Sequence, residues 1–537
     1  MNTFKKKSLH AAVLAGLGAL GVAGTANAVH INPDGVGQVL IYPYYTVRNN
    51  NVTAMSVVNS TSQTKIVKVR FLEGKNSREV LDFNLFLSPQ DVWTGVILPT
   101  ATGARLETND NSCVTPSDLF NDPTTNTIRT DGTFALNEFK NYTFSGANAD
   151  NPTMGTVDRT REGYIEVIEM GVVTTPLVTG FIKHGANGIP ANCGALDAYD
   201  SFSTGAAPAG GFFSATQHLT APTGDLFGRA SIVNAANGTN YAFEPTALDS
   251  WWAPAVPQAA YFPSGDLNPN ISLTTGIDTV SRVFVNQSDS VSGIAGVVTS
   301  QWLTSRDAVT AVLMRDSINN EFITDAVTLS KNDWVITMPT KRNHIGVGTG
   351  IGATGRPFSN NFASATPSGA CDAYLLGIFN REEGSLTTAP GVILPSPRPA
   401  AAQAPGQILC WEANVLEFGT TGLLGSTNNH RLVGAAEAFA STGATTTGST
   451  RVTRSRQALQ GPNGWAFLSF GNIGQAAQSN QVMTPVSSSL NGVADAVVRR
   501  YFGLPVIGTS FHNFTNSGVA SAYGGVIPHV YGRFISP

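Results

Sequence analysis

Charge is scarce in this sequence. Asp, Glu, Lys and Arg make up 13% of its 537 residues, about half of the roughly 25% usual in globular chains. The formal net charge is −4, and it becomes more negative if Lys5, Lys6 and Lys7 leave with an N-terminal leader. Nothing in that balance offers an electrostatic footprint for nucleic acid or an anionic membrane. Cysteine is scarce too: there are four, and no CxxC among them, which speaks against a redox pair or a zinc knuckle. No GxSxG or HExxH surrounds any Ser or His, so the local signatures of common hydrolases are missing. Beyond the N-terminus no apolar run approaches the 20 or so residues of a spanning helix.

What is present begins at the N-terminus. Three lysines precede an apolar, Ala/Gly/Leu-rich stretch over 11–24, and Ala26-Asn27-Ala28 offers a small-x-small cleavage site. This pattern predicts a secretory signal peptide over 1–28. Export makes disulfides the expected state of Cys113, Cys193, Cys371 and Cys410. Three pairings are possible. The sequential one, Cys113–Cys193 and Cys371–Cys410, places one bridge in each half and is the pairing expected.

The next region reads as β. Residues 39–42, 53–58, 66–71 and 80–87 alternate in character and are separated by turns such as Asn49-Asn50-Asn51 and Glu73-Gly74-Lys75-Asn76-Ser77. In 66–71, Ile66, Lys68 and Arg70 share one face and Val67, Val69 and Phe71 the other, the mark of a half-buried strand. Residues 161–171 read as another strand. Asn237-Gly238 predicts a hairpin between 229–234 and 241–243. Residues 308–316 read as a strand followed by an Ile-Asn-Asn turn. Residues 490–503 read as a short helix, capped by Asn491 and stopped by Gly503.

Short strands with turn signals every eight to twelve residues predict a mainly β fold of two or more sandwiches, with long loops and few helices. The turns Val58-Asn59-Ser60-Thr61 and Leu87-Ser88-Pro89-Gln90-Asp91 resemble those of immunoglobulin-like modules in bacterial surface proteins. The whole chain is similar to uncharacterised exported proteins of proteobacteria, a resemblance that implies no activity. The expected organisation is a first sandwich region over 29–245 and a second over 246–537. A near-repeat supports it. "LSPQDVWTGVILPT" (87–100) and "LSKNDWVITMPT" (329–340) share Leu-Ser, an Asp beside a Trp, an apolar run and Pro-Thr. Both are read as a turn, with Asp bonding its own backbone, followed by a strand.

Candidate chemistry is thin. Gly350 to Gly355 matches GxGxxG but lacks the strand and helix that a dinucleotide site needs. Asp266, Asn268 and Asn270 alternate as in a calcium loop but lack its Gly and closing Glu. Glu166, Glu169, Glu382 and Glu383 read as acids on wet faces rather than a glycosidase pair. Trp251 and Trp252, with Tyr261 and Phe262, form the best candidate for a sugar-stacking surface, and Tyr42, Tyr44 and Tyr45 form a second aromatic cluster. No cofactor or metal is expected. The expectation is an exported, non-catalytic structural or adhesion protein of the periplasm, cell surface or medium. A glycan-binding module, with Trp251, Trp252 and Tyr261 as ligand contacts, is the alternative, and a secreted hydrolase comes after it. Partners would be further copies of the chain or a surface glycan. The segment 37–47 is a candidate for adding a strand to a neighbour's sheet edge.

Overall fold

A computed structural model describes residues 28–120, 136–151, 153–197, 200, 218–286, 294–345, 357–358, 362, 370–381, 408–419, 422–432, 463–471, 481–516 and 521–536. Residues 1–27, the GxGxxG match, Glu382, Glu383 and the Pro-rich stretch 389–407 lie outside them.

The chain is mainly β, with many antiparallel sheets. Its first strands are β1 (His30–Ile31), β2 (Val39–Thr46), β3 (Val52–Asn59), β4 (Thr64–Glu73), β5 (Glu79–Leu87), β6 (Val92–Pro99), β7 (Ala104–Glu107), β8 (Val114–Thr115), β9 (Glu162–Val173), β10 (Leu219–Thr220), β11 (Leu226–Asn234), β12 (Thr239–Phe243) and β13 (Thr246–Asp249). They form an eight-stranded sheet, β1-β13-β2-β9-β4-β5-β8 with β10 on β9, and a five-stranded sheet, β12-β11-β3-β6-β7. One core joins them: Leu40, Val67, Val69, Phe83 and Leu85 from the first sheet meet Met55, Val57, Trp93, Ile97 and Ile232 from the second. The alternation of strand side chains makes this possible, since every second residue turns inward. The Asn237-Gly238 hairpin forms as the sequence indicates, with Gly238 at φ 65°.

The later strands are β14 (Val280–Asn286), β15 (Ala295–Gln301), β16 (Met314–Arg315), β17 (Ser317–Ile323), β18 (Lys331–Thr337), β19 (Asp372–Ala373), β20 (Leu375–Asn380), β21 (Ile408–Leu409), β22 (Ala413–Phe418), β23 (Asn429–Leu432), β24 (Asn463–Ser469), β25 (Val482–Met483), β26 (Ser487–Leu490), β27 (Val493–Ala494), β28 (Arg500–Phe502), β29 (Leu504–Pro505), β30 (Ile507–Asn516), β31 (Ser521–Pro528), β32 (Val530–Gly532) and β33 (Phe534–Ser536). The sheet β23-β22-β18-β30-β31 is covered on both faces. Val335, Val415 and Phe511 belong to the first core. Trp334, Ile336, Leu416 and Phe418 belong to another, with Ile318, Phe322, Leu376, Ile378, Ala466 and Leu468 of the sheet β20-β24-β17-β32. That last sheet is therefore an outer layer, with one face on the core. A third core packs Val39 and Ile41 against Trp251, Trp252, Val309 and Val312, so buried contacts join residues on both sides of position 245.

Both disulfides, Cys113–Cys193 and Cys371–Cys410, have the sequential pairing. No helix among the described residues is long and apolar enough to cross a membrane.

Four local expectations are corrected. Residues 490–503 form no helix. Asn491 (φ 50°) and Gly492 (φ 82°) make the two-residue turn of the β26–β27 hairpin, and an Asn-Gly pair favours that geometry over a helix cap. Residues 308–316 are mostly helical. The helix Ser305–Leu313 starts at Thr304, whose hydroxyl accepts from the Asp307 amide at 3.2 Å, and the Ile-Asn-Asn segment then lies inside β17. Strand β4 is buried on both faces, not half-buried. Segment 37–47 is not an open edge strand over its first half: β2 pairs with β9 on one side, and residues 39–41 pair with β13 on the other.

The two near-repeats also part company. Asp91 sits in a turn and accepts from the Ser88 amide at 2.9 Å. Asp333 lies within β18, wholly buried, and accepts from the amides of Leu423 and Leu424 at 2.7 and 3.0 Å. Only the strand with its buried tryptophan, Trp93 or Trp334, is common to both.

Candidate functional site

The aromatic residues singled out in the sequence lie inside the fold. Trp251 is fully buried and its Nε1 donates to the Ile271 carbonyl at 2.8 Å. Trp252 is 6% exposed and donates to the Gln258 carbonyl at 3.0 Å. Their ring centroids are 5.6 Å apart. The Tyr261 hydroxyl donates to Asp200, and burial raises its pKa well above the ordinary value. Tyr42, Tyr44 and Tyr45 are buried, their hydroxyls bonded to Ser56, Glu162 and Thr160. The structure does not bring Trp251, Trp252 and Tyr261 onto one exposed surface.

The carboxylates are likewise engaged. On β9, Glu169 pairs with Lys65 at 2.8 Å and Glu166 with Arg70 at 2.6 Å. Arg70 also binds Glu79 at 2.7 Å. Burial holds all three acids above the usual carboxylate range, with the Asp82 charge adding to the effect on Glu79. Two raised carboxyls around one guanidinium have the look of acid–base machinery. They line a cavity of only about 150 Å³, with Tyr164, Asn270 and Arg342, below the roughly 300–1,000 Å³ of small-molecule sites. It has room for ordered water between ion pairs. The loop carrying Asp266 and Asn268 holds a cation of the chain's own, the Lys68 ammonium.

A cluster of stacked aromatics with an exposed ring lies elsewhere, on the outer layer. In β24, Ala466 and Leu468 turn to the core, so Trp465 and Phe467 turn outward. Ile378 of β20 turns inward, leaving Gly377 and Phe379 outward. The register sets Phe379 directly opposite Trp465, and Gly377 opposite Phe467. The Phe379 and Trp465 rings stack, with centroids 4.6 Å apart and planes 15° from parallel. Phe467 joins them at 6.1 and 6.2 Å. A side chain at Gly377 would collide with the Phe467 ring, so the glycine is what allows the ring to lie there. Trp465 is 44% exposed. On its other flank, β17 places Glu321 opposite Trp465 and Asn319 opposite Phe467. Sheet stability accounts for part of this: cross-strand aromatic pairs contribute about 0.2–1 kcal/mol each. It does not account for leaving the largest ring in water.

Searches against protein-family models, curated proteins and solved structures find no match to this chain. The reading of the site therefore rests on its geometry. A signal for it was in the sequence: "NGWAFLSF" (463–470) is apolar on both faces of a short strand, whereas a half-buried strand carries polar residues on its wet side.

Proposed function

We propose that this chain is an exported, non-catalytic adhesion protein of the cell surface, built from immunoglobulin-like sandwich modules, that grips polysaccharide through the outer face of β20, β24 and β17. The leader-like pattern over 1–28 and two disulfides, bonds that persist in oxidising compartments, support export. The observation that carries the adhesive reading is Trp465: a half-exposed indole, backed by Phe379 and flanked by Glu321. Its ring carries negative charge density on its faces. A pyranose with equatorial substituents offers a face of axial C–H groups that match it, while Glu321 and Asn319 suit the sugar hydroxyls. Tryptophan loses little conformational entropy on binding, which makes it an efficient anchor. Solvent reaches this ring, whereas Trp251 and Trp252 are buried.

The hydrolase alternative has less support, because Glu79 and Glu166 are tied to Arg70 in a small cavity. The test is retention of the mature chain on insoluble cellulose and chitin, with and without Trp465→Ala. Retention lost in the variant supports the proposal. If the wild type is not retained and instead self-associates through this face in sedimentation experiments, the occupant is a second copy and the glycan reading falls.

A further inference from the structure

A larger cavity, of about 550 Å³, opens between β14, the end of the helix Ser305–Leu313 and β32. Three guanidinium groups line it: Arg282, Arg315 and Arg533. Ile31, Phe284 and Tyr531 form much of the rest, and no carboxylate is among the described lining residues. Its size falls within the usual range for small-molecule sites.

Two of the three arginines also serve the fold. Arg533 donates to the carbonyls of Ala311 and Val312 at 3.0 and 2.7 Å. Arg315 donates to those of Met314 and Val312 at 3.0 and 3.3 Å. The last carbonyls of a helix have no partner within it and favour cations. Asp316 and Tyr531 favour the charge on Arg315, yet burial still pushes its pKa down to about 10. Helix capping explains both residues.

It does not explain Arg282. That side chain makes no hydrogen bond or ion pair among the described residues, and only its backbone amide is engaged, with the Val29 carbonyl. On β14, Val283 and Val285 turn to the core, so Arg282 and Phe284 share the outward face, with Phe284 69% exposed. An unengaged guanidinium therefore stands beside an exposed ring, in a cavity that already holds two more positive charges.

We propose that this cavity binds an amphiphilic carboxylate, its head among Arg282, Arg315 and Arg533 and its apolar body against Phe284, Ile31 and Tyr531. A guanidinium fork matches a carboxylate with two parallel hydrogen bonds. Three partly buried cations close together gain from a bound anion, and the apolar wall selects against a small inorganic one.

The test is calorimetric titration of the mature chain with octanoate, with octanol as the uncharged match. Octanoate binds at one site and octanol does not. Arg282→Gln weakens octanoate about ten-fold or more and leaves the melting temperature unchanged, because Arg282 holds no structural bond. Phe284→Ser also weakens it. Trp465→Ala, on the other face, leaves octanoate binding unchanged, which separates this site from the glycan surface. Absence of octanoate binding, equal binding of octanol, or full affinity in Arg282→Gln overturns the proposal.

Discussion

The Lys68 ammonium lies 2.6 Å from the carbonyl oxygen of Asp266. The carbonyls of Pro263 and Asn268, at 2.7 and 2.9 Å, and the Asp82 carboxylate, at 2.8 Å, complete the ring. The side chain is wholly buried. A loop patterned like a cation site is thus filled by a cation from β4, and strand and loop are pinned together by it.

Removal of that cation leaves three carbonyls and a carboxylate facing one another. Lys68→Met is expected to cost about 3–5 kcal/mol, as breaking one side of a buried ion pair does. A urea midpoint unchanged from wild type would contradict this. Calcium added to the wild type is expected to leave the melting temperature where it is.

Burial on that scale was not legible in β4 itself. Ile66, Lys68 and Arg70 alternate with Val67, Val69 and Phe71, and local pattern makes their face wet. What covers Lys68 comes from residues nearly 200 positions away, beyond the reach of periodicity. The disulfide pairing and the Asn237-Gly238 hairpin were legible because local chemistry or simple proximity decides them. The Asn491-Gly492 turn is ambiguous in sequence because Asn also caps helices, and the local pattern alone does not choose between the two. Adjacent tryptophans such as Trp251 and Trp252 are a poor mark of a contact surface, whereas outward-facing aromatics on an alternating strand, such as Trp465 and Phe467, are a better one.

The hairpin gives a second prediction. Gly492 has φ 82° and open space around it, so Gly492→Ala meets no clash but a strained backbone. The expected loss is about 1 kcal/mol, read from denaturant midpoints. A stabilised variant would show that the turn is not left-handed.

Stability should fall between pH 6.5 and 8. Glu412 is wholly buried, and burial pushes its carboxyl up to about 8 against the nearby Lys341 charge. Burial and the neighbouring Glu417 raise Asp333 likewise. Such acids hold protons in the fold that the unfolded chain releases, so stability present at low pH is lost as pH climbs from the ordinary carboxylate value through the raised one. Each contributes up to about 1.4 kcal/mol per pH unit. His529, pushed down to about 4, acts oppositely but below 6.5, and Lys75, pushed down to about 8, acts oppositely above that value. A melting temperature that rises from pH 6.5 to 8 would contradict the assignment.

Replacing Cys371 and Cys410 together by Ala frees a span of 39 residues. On chain-entropy grounds the loss is about 4 kcal/mol, measured by denaturant unfolding of the oxidised wild type against the variant. A much smaller change would mean that the unfolded chain is already compact there.

The adhesive reading rests on one indole. The most direct measurement is the fraction of mature protein retained on cellulose and chitin, compared between wild type and Trp465→Ala at matched melting temperature. Retention by the wild type and its loss, about ten-fold or more in affinity, in the variant is the predicted result. No retention of the wild type, or equal retention of both, would contradict it.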